Sequence, residues 1–424
     1  MNREITVLSF VLLVGGLQAK AQASELALEW DWVVSGHSTS HRDSALLGEA
    51  EQSSSQSLDA LLDVEARMHN WTGLFALKGS DIASNQNDAS YDGELIVQEL
   101  FWQGSVNTLQ TDIEVTLGKM RLDWGVGYGY RPLDVFKPYR RNPVGIQVEE
   151  GTLTAMGSYF DALGDWSLVY SDSSHTQQDG SELEEAAEQR GIGLRRYAFV
   201  GDSEYQLLAY YDDVRHGLVG GSFVTVLDAA WGLHTSAVYQ RHYLSYQQGE
   251  IFEPVSLTKQ RDGFQVLAGL NWANQVGNNI ILEYWYDSRS WGRKEWQQAF
   301  DRIDSLESVQ QGLASSYAQG LGQSNLVAHN IMLHWSLDSS AWGHWNWSQE
   351  YLWLNKVTPT LDVLYSPQDN GVIVTQWLDY QAYDSGQSSI NIEMALRFMT
   401  GEKDSVYANL SDKRMIFINL KGRF

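Results

Sequence analysis

Along much of the chain, apolar and polar residues alternate one by one. Between 58 and 68, Leu58, Ala60, Leu62, Val64, Ala66 and Met68 share one parity, and Asp59, Asp63, Glu65 and Arg67 fall on the other. The same rhythm sets Ile113, Val115 and Leu117 against Asp112, Glu114 and Thr116, and Ile280, Leu282, Tyr284 and Tyr286 against Glu283 and Asp287. Further on, Ile390, Ile392, Met394, Leu396 and Phe398 alternate with Asn391, Glu393 and Arg397. Successive side chains of an extended strand point to opposite faces, so period two marks strands with one apolar and one polar face.

Strands are expected near 26–36, 57–69, 71–80, 93–104, 111–121, 149–160, 165–172, 189–199 and 203–213. They continue near 220–230, 233–244, 261–273, 279–288, 325–337, 344–355, 371–381, 388–399 and 414–424, eighteen in all. Connections are short at 70, 161–164, 201–203 and 274–278, and long at 37–56, 122–148, 173–188, 289–324 and 356–370. An even strand count with short turns at one end and long loops at the other fits a transmembrane antiparallel β-barrel. Strands of about ten residues have the length a tilted strand needs to cross a bilayer. Eighteen strands are expected, with sixteen as the second choice. The short turns would be periplasmic and the long loops extracellular, in a single domain over 24–424.

A soluble sandwich would turn the same apolar faces inward, so composition and the chain ends bear on the choice. Trp, Tyr and Phe make up 12% of the residues, and the runs 342–347 and 351–353 are candidates for interfacial aromatic girdles. Cysteine is absent, which removes disulfides and thiolate metal sites. After Arg3 an apolar run covers 5–17 and leads to Ala19-Lys20-Ala21 and Ala21-Gln22-Ala23, so 1–23 is expected to be a signal peptide. That run falls short of the roughly 20 residues a spanning helix needs. At the other end, MIFINLKGRF places Ile416, Ile418, Leu420 and Gly422 on one face, ending on Phe424. This ending resembles the signal by which bacterial outer-membrane barrels are recognised for assembly.

A barrel of 16–18 strands is wide enough for an aqueous channel. The expected activity is passive or facilitated diffusion of small hydrophilic solutes, anionic ones among them: organic acids, sugars or uronic-acid oligosaccharides. Lumen charges would set selectivity, with Asp59, Asp63, Glu65, Arg67, Glu114, Glu283, Glu393 and Arg397 as candidates. Alternatives are a plugged surface receptor or assembly partner, a polysaccharide-export barrel and, last, a membrane-face hydrolase.

The loop 122–148 stands apart. The chain carries a net charge of -24, yet the stretch 123–143, DWGVGYGYRPLDVFKPYRRNP, gathers Arg131, Lys137, Arg140 and Arg141. Pro132, Pro138 and Pro143, half of the 6 prolines, lie there too. Proline fixes φ, and Gly125, Gly127 and Gly129 permit tight turns, so this third outer loop could hold a constriction in the lumen. With Arg121, those four basic residues form the candidate constriction and solute-binding set. Three readings stay open. They are an electropositive filter for carboxylates or phosphates, counter-charges for Asp59, Asp63, Glu65 and Glu114, and contacts to lipopolysaccharide phosphates.

The run LGKMRLDWGVGYGYRPLDVFKPYRRNP, followed by VEEGTLTAMGSYF, resembles a pattern in monomeric proteobacterial outer-membrane porin-like barrels of the alginate-export and porin-like superfamily. There a Gly-Lys or Gly-Arg step leads to Trp-Gly, a Pro-x-Asp-hydrophobic loop, basic residues and the next strand. The resemblance spans 117–160 and implies eighteen strands. Its alginate-export members have an Arg-rich lumen for a polyanion, whereas the presumed lumen faces here are mostly acidic or neutral.

Other chemistry has little to stand on. The 10 histidines are scattered; His234 and His242 lie on one expected strand at even spacing and could share a face. No G-x-S-x-G elbow and no ligand spacing occurs, so no enzyme, cofactor or metal is expected. In the loop 289–324, Trp296, Phe300, Ile303 and Leu306 follow helical spacing, which predicts a short amphipathic helix on the barrel rim or in the pore. Expected partners are outer-membrane lipids and lipopolysaccharide, the barrel-assembly machinery and a small hydrophilic solute. No nucleic acid is expected, and the barrel would be a monomer.

Overall fold

The computed structural model describes residues 26–83, 90–108, 111–136, 145–178, 180–306 and 310–424; the expected signal peptide lies outside them. Eighteen antiparallel strands form one sheet, and β1 (Leu26–His41) pairs with both β2 (Ser54–Met68) and β18 (Asp412–Arg423), so the sheet closes on itself. Between them in chain order run β3 (Trp71–Ala83), β4 (Ser90–Thr108), β5 (Thr111–Met120), β6 (Thr152–Phe160), β7 (Gly164–Asp172) and β8 (Arg190–Val200). Next come β9 (Ser203–Asp212), β10 (Leu218–Val226), β11 (Trp231–Gln247), β12 (Ser256–Ala273) and β13 (Asn278–Asp287). The wall is completed by β14 (His329–Leu337), β15 (Val357–Ser366), β16 (Gly371–Asp384) and β17 (Ser389–Thr400). Each strand pairs with its chain neighbours, the closed up-and-down order that leaves no sheet edge.

Parity assigns the faces. Ile392, Met394, Leu396 and Phe398 of β17, and Ile416, Ile418 and Leu420 of β18, are exposed on the outside. Between them Glu393 pairs with Asn419 and Arg397 with Met415 on the inside. The exposed outer rows recur around the wall, including Leu95, Leu168, Leu207, Val219 and Leu282. Apolar area on this scale costs about 25 cal/mol per Å² against water, and a lipid bilayer removes that cost. Phe424 completes the outer row, its N–H donating to Trp30 O at 3.1 Å.

Two expected segments moved. Residues 344–355 are not a strand: 3-10 helices occupy Ser339–His344 and Leu352–Lys356, and the strand is β15, inside the stretch expected as the outer loop 356–370. Alternating aromatics mimicked a strand there. The segment instead satisfies itself locally, with Asp338 accepting from Ser340 N–H at 2.9 Å and Trp342 Nε1 donating to Val357 O at 2.8 Å. Several strands also outrun ten residues, β4 reaching 19 and β12 18, and the lengths of β1 and β2, 16 and 15, shorten the first outer loop to 42–53.

At the loop end, the expected amphipathic helix is present as Arg293–Leu306, burying Trp296, Ala299, Phe300, Ile303 and Leu306. It packs with Leu46, Leu183, Val255, Val406 and Tyr407, which come from four other outer loops, and so roofs part of the mouth. Trp291 and Trp296 anchor this roof, their indole N–H groups donating to Tyr246 O and Leu326 O at 2.7 and 2.9 Å. Trp296→Ala should cost about 3–5 kcal/mol of loop packing. Faster proteolysis of the outer loops, with the barrel wall intact, is the expected readout.

Candidate functional site

The connection between β5 and β6, residues 121–151, does not stay at the rim. Leu122, Trp124, Leu133, Val135 and Phe136 pack on Val169, Leu208, Tyr210, Leu218 and Val238, which belong to β7, β9, β10 and β11. Val126, Tyr128 and Tyr130 reach Leu267, Trp285 and Met332 on β12, β13 and β14. A loop leaving β5 touches all these walls only by crossing the lumen. Of the loop's prolines, Pro132 is buried in this crossing, while Pro138 and Pro143, and with them the candidate constriction residues Lys137, Arg140 and Arg141, lie outside the described residues.

Glu283, fully buried on β13, holds the tip. Its Oε1 accepts from Tyr128 N–H at 2.6 Å and its Oε2 from Gly129 N–H at 2.8 Å, while His234 Nε2 stands 2.8 Å from Oε1. A buried carboxylate persists only when such donors replace water. Beside this latch the Tyr130 ring stacks on Trp285 at 5.6 Å, and its hydroxyl hydrogen-bonds Gln265 and Asp287 at 2.8 and 2.9 Å. Arg289 in turn grips Asp287, its Nε at 2.9 Å and Nη2 at 2.7 Å. The Tyr128 ring lies 4.3 Å from that of His334, whose Nδ1 meets Asp362 at 2.6 Å. Glycine is required at 127 by contact, because a Cβ there would fall 1.8 Å from Tyr130 O; a Cβ on Gly129 would come 2.6 Å from Met332 Sδ and displace that side chain.

The stem is fastened by the opposite wall. Gln206 Nε2 donates to Trp124 O at 2.9 Å, Arg215 Nη1 to Val135 O at 2.7 Å, and the Arg195 guanidinium lies 5.0 Å above the Trp124 ring. Within the loop, Arg131 Nε donates to Gly127 O at 2.9 Å, and its Nη1 is 3.8 Å from Asp134. Arg131 therefore braces the loop. Burial pushes the Asp134 carboxyl up to about 6, against the Gly125 N–H and the Arg131 charge that favour ionisation. The folded loop thus binds this proton more tightly than an unfolded one, so its stability falls as pH rises from about 4 to about 6. Asp134→Asn should abolish that dependence, measured as protease sensitivity of the loop across this pH window.

The outgoing limb of the loop occupies the β7–β15 side, and its returning limb lays Ile146 and Val148 against Val33, Leu61, Ala76 and Ile96 of β1–β4, so the remaining lumen is bounded by β16–β18 and by the rest of the inner face of β1–β5. Register places Glu29, Asp31, Asp59, Asp63 and Glu65 on its inner face, with Glu94, Glu99, Asp112 and Glu114 beyond them. Asp379 and Glu393 complete the acidic set; Arg67, Lys78, Arg397, Lys421 and Arg423 are the inward cations of these strands. Among the described side chains the acidic groups outnumber the basic ones by roughly two to one, a fixed field over the passage. The side chains of Asp31, Arg67 and Arg423 face inward yet are 57%, 57% and 63% exposed, so water reaches the lumen at the turn end.

Arg121 sits where this arc meets the loop, 3.2 Å from Glu99 and 3.7 Å from Glu149. The expected counter-charge role of Arg131 does not hold among the described residues, because the inner carboxylates have nearer partners. Glu65 pairs with Arg67 at 2.5 Å, Gln98 donates to Asp63 at 2.6 Å, Gln103 donates to Glu114, and Lys421 meets Glu393 at 2.8 Å. Nor do His234 and His242 share a face. Pairing of β11 with β12 skips Arg241 and Asp262, and this break turns His242 and its partner Arg261 outward.

No family model matches the chain, and no curated protein matches it. Solved structures do match, over nearly its whole length. Pseudomonas aeruginosa OccK8 (OprE) is similar with TM-score 0.53 and 9% identity, over 95% of this chain and 99% of that one. Acinetobacter baumannii OccAB1 gives 0.53 and 9%, over 96% and 99%. Pseudomonas aeruginosa OccK2 (OpdF) in complex with glucuronate gives 0.51 and 10%, over 94% and 97%. At such identities the likeness establishes the fold, an 18-stranded barrel of the kind found in Occ/OprD outer-membrane porins.

Proposed function

We propose that the chain is a monomeric outer-membrane channel for small hydrophilic solutes, its turn end periplasmic and its loop end extracellular. One observation carries this reading: the loop 121–151 is latched across the lumen through Glu283 and returns along β1–β4, leaving charged, water-reached groups of the wall beside it at the turn end. A packed loop on one wall and hydrated charge on the other make an aperture, the arrangement that selects solutes by size and charge. The acidic excess on the arc favours cations and solutes with an ammonium group.

A second reading, transport of carboxylates such as sugar acids, draws on the glucuronate in OccK2 and on Lys137, Arg140 and Arg141. The resemblance of 117–160 to alginate-export barrels supports the strand number better than a polyanion, because the inner faces described are acidic. Proteoliposomes loaded with an impermeant polymer test the channel. Swelling in isotonic glycine or lysine is expected to be faster than in glucuronate, and absence of swelling in every solute would refute the proposal.

A further inference from the structure

The outside of the wall holds a feature the channel does not use. Over β7–β12, the outward side chains Leu168, Ile192, Leu194, Ala209, Tyr211 and Val219 line a groove of about 690 Å³. Its origin is the short connection 213–217: β10 begins at Leu218, opposite Gln240, while β11 continues to Gln247. The taller β11–β12 hairpin therefore stands above a low β9–β10 hairpin at the loop end. Arg241, Arg261 and Asp262 close the groove there, on the flank that rises above its apolar floor.

Charge marks this edge. Arg241, Lys259 and Arg261 are all exposed, and none has an ion-pair or side-chain hydrogen-bond partner among the described residues. Neighbouring cations do: Arg190, Arg195, Arg196 and Arg215 pair with Asp172, Asp165, Asp161 and Asp212. Arg241, Lys259 and His216 all stand close enough to act electrostatically on the His242 ring, and His242 pairs across the strands with Arg261. The His216 and His242 rings are 5.3 Å apart. Arg241 N–H donates to Gly217 O at 2.9 Å and His242 N–H to Arg215 O at 3.0 Å, which holds the cluster against the short connection. One carboxylate stands at the same edge, Asp262, which accepts from the Tyr239 hydroxyl at 2.6 Å, so the three cations outnumber it and their mutual repulsion is only partly offset. An apolar groove running to guanidinium groups complements one chemistry: an acyl chain that ends in a phosphate, which arginine grips with paired hydrogen bonds.

We propose that this groove binds a phosphorylated lipid of the outer leaflet, its acyl chain against Leu168, Ile192, Leu194 and Val219 and its phosphate against Arg241, Lys259 and Arg261. The proposal rests on the loop end being extracellular. It is tested on the full barrel in detergent by native mass spectrometry, with diphosphoryl lipid A, dephosphorylated lipid A and inorganic phosphate as probes. Diphosphoryl lipid A should bind, and Arg241→Ala/Lys259→Ala/Arg261→Ala should weaken it by about a hundredfold, the equivalent of ~2.7 kcal/mol. Dephosphorylated lipid A should bind as weakly to the native chain. Equal binding by the triple variant or by the dephosphorylated lipid would overturn the proposal, and displacement by inorganic phosphate would make the ligand free phosphate instead. Heat-modifiable gel migration reports folding of the variant; if it fails, Ala209→Trp fills the groove from its floor and must weaken lipid binding alone. The conductance of the triple variant should equal that of the native chain. A non-conducting barrel that binds the lipid through these residues would sink the channel alone.

Discussion

Glu283→Ala should enlarge the single-channel conductance and make it noisy. The carboxylate accepts two backbone N–H groups from the loop tip, at 2.6 and 2.8 Å, in a fully buried setting. Hydrogen bonds to a charged group contribute about 1.5–3 kcal/mol each. Removing both shifts the ratio of docked to released loop by roughly a hundredfold or more. Glu283→Gln keeps oxygen for one of the two donors and should fall between. Tyr130, stacked on Trp285 and bonded to Asp287, keeps part of the tip in place, so flickering between two levels is expected, not a single wide pore. Unchanged conductance in Glu283→Ala would show that the loop does not limit the aperture.

Asp59→Asn/Asp63→Asn/Glu65→Gln should move the reversal potential in a salt gradient away from cations. These carboxylates share one face of β2 over about 20 Å, so a permeating ion passes each of them in turn within about one Debye length at 0.1 M salt. The shift should grow as salt is lowered, since screening weakens. The competing possibility is that Lys137, Arg140 and Arg141 dominate. The native channel would then favour anions, and Arg140→Glu/Arg141→Glu would carry it towards cations while the β2 variant moved little.

Strand alternation made the wall legible, because lipid and water on opposite faces impose period two on nearly every strand. It misled at His242, where a break in the β11–β12 pairing turns the face, and where aromatics alternate for another reason. In 344–355, Trp345, Trp347, Tyr351 and Trp353 read as one face of a strand, yet Ser348 Oγ donates to Trp345 O at 2.8 Å and closes a turn. The true strand hides behind Pro359, which cannot donate to the ladder and so reads as a break. The loop in the lumen was legible by composition and placement, its latch was not. Glu283 showed as an inward residue by parity, but its partners lie 155 and 154 residues away, and no local pattern links them. The roof was half visible: helical spacing exposed Trp296 and its row, while the loops that bury it lie far apart in the chain.

The most direct test is the single-channel current of the native chain in a planar bilayer under a potassium chloride gradient. Discrete ohmic steps with a cation-favouring reversal potential are predicted. A correctly folded barrel that passes no current would contradict the account, since the loop latched by Glu283 would then be a plug and not the edge of an aperture.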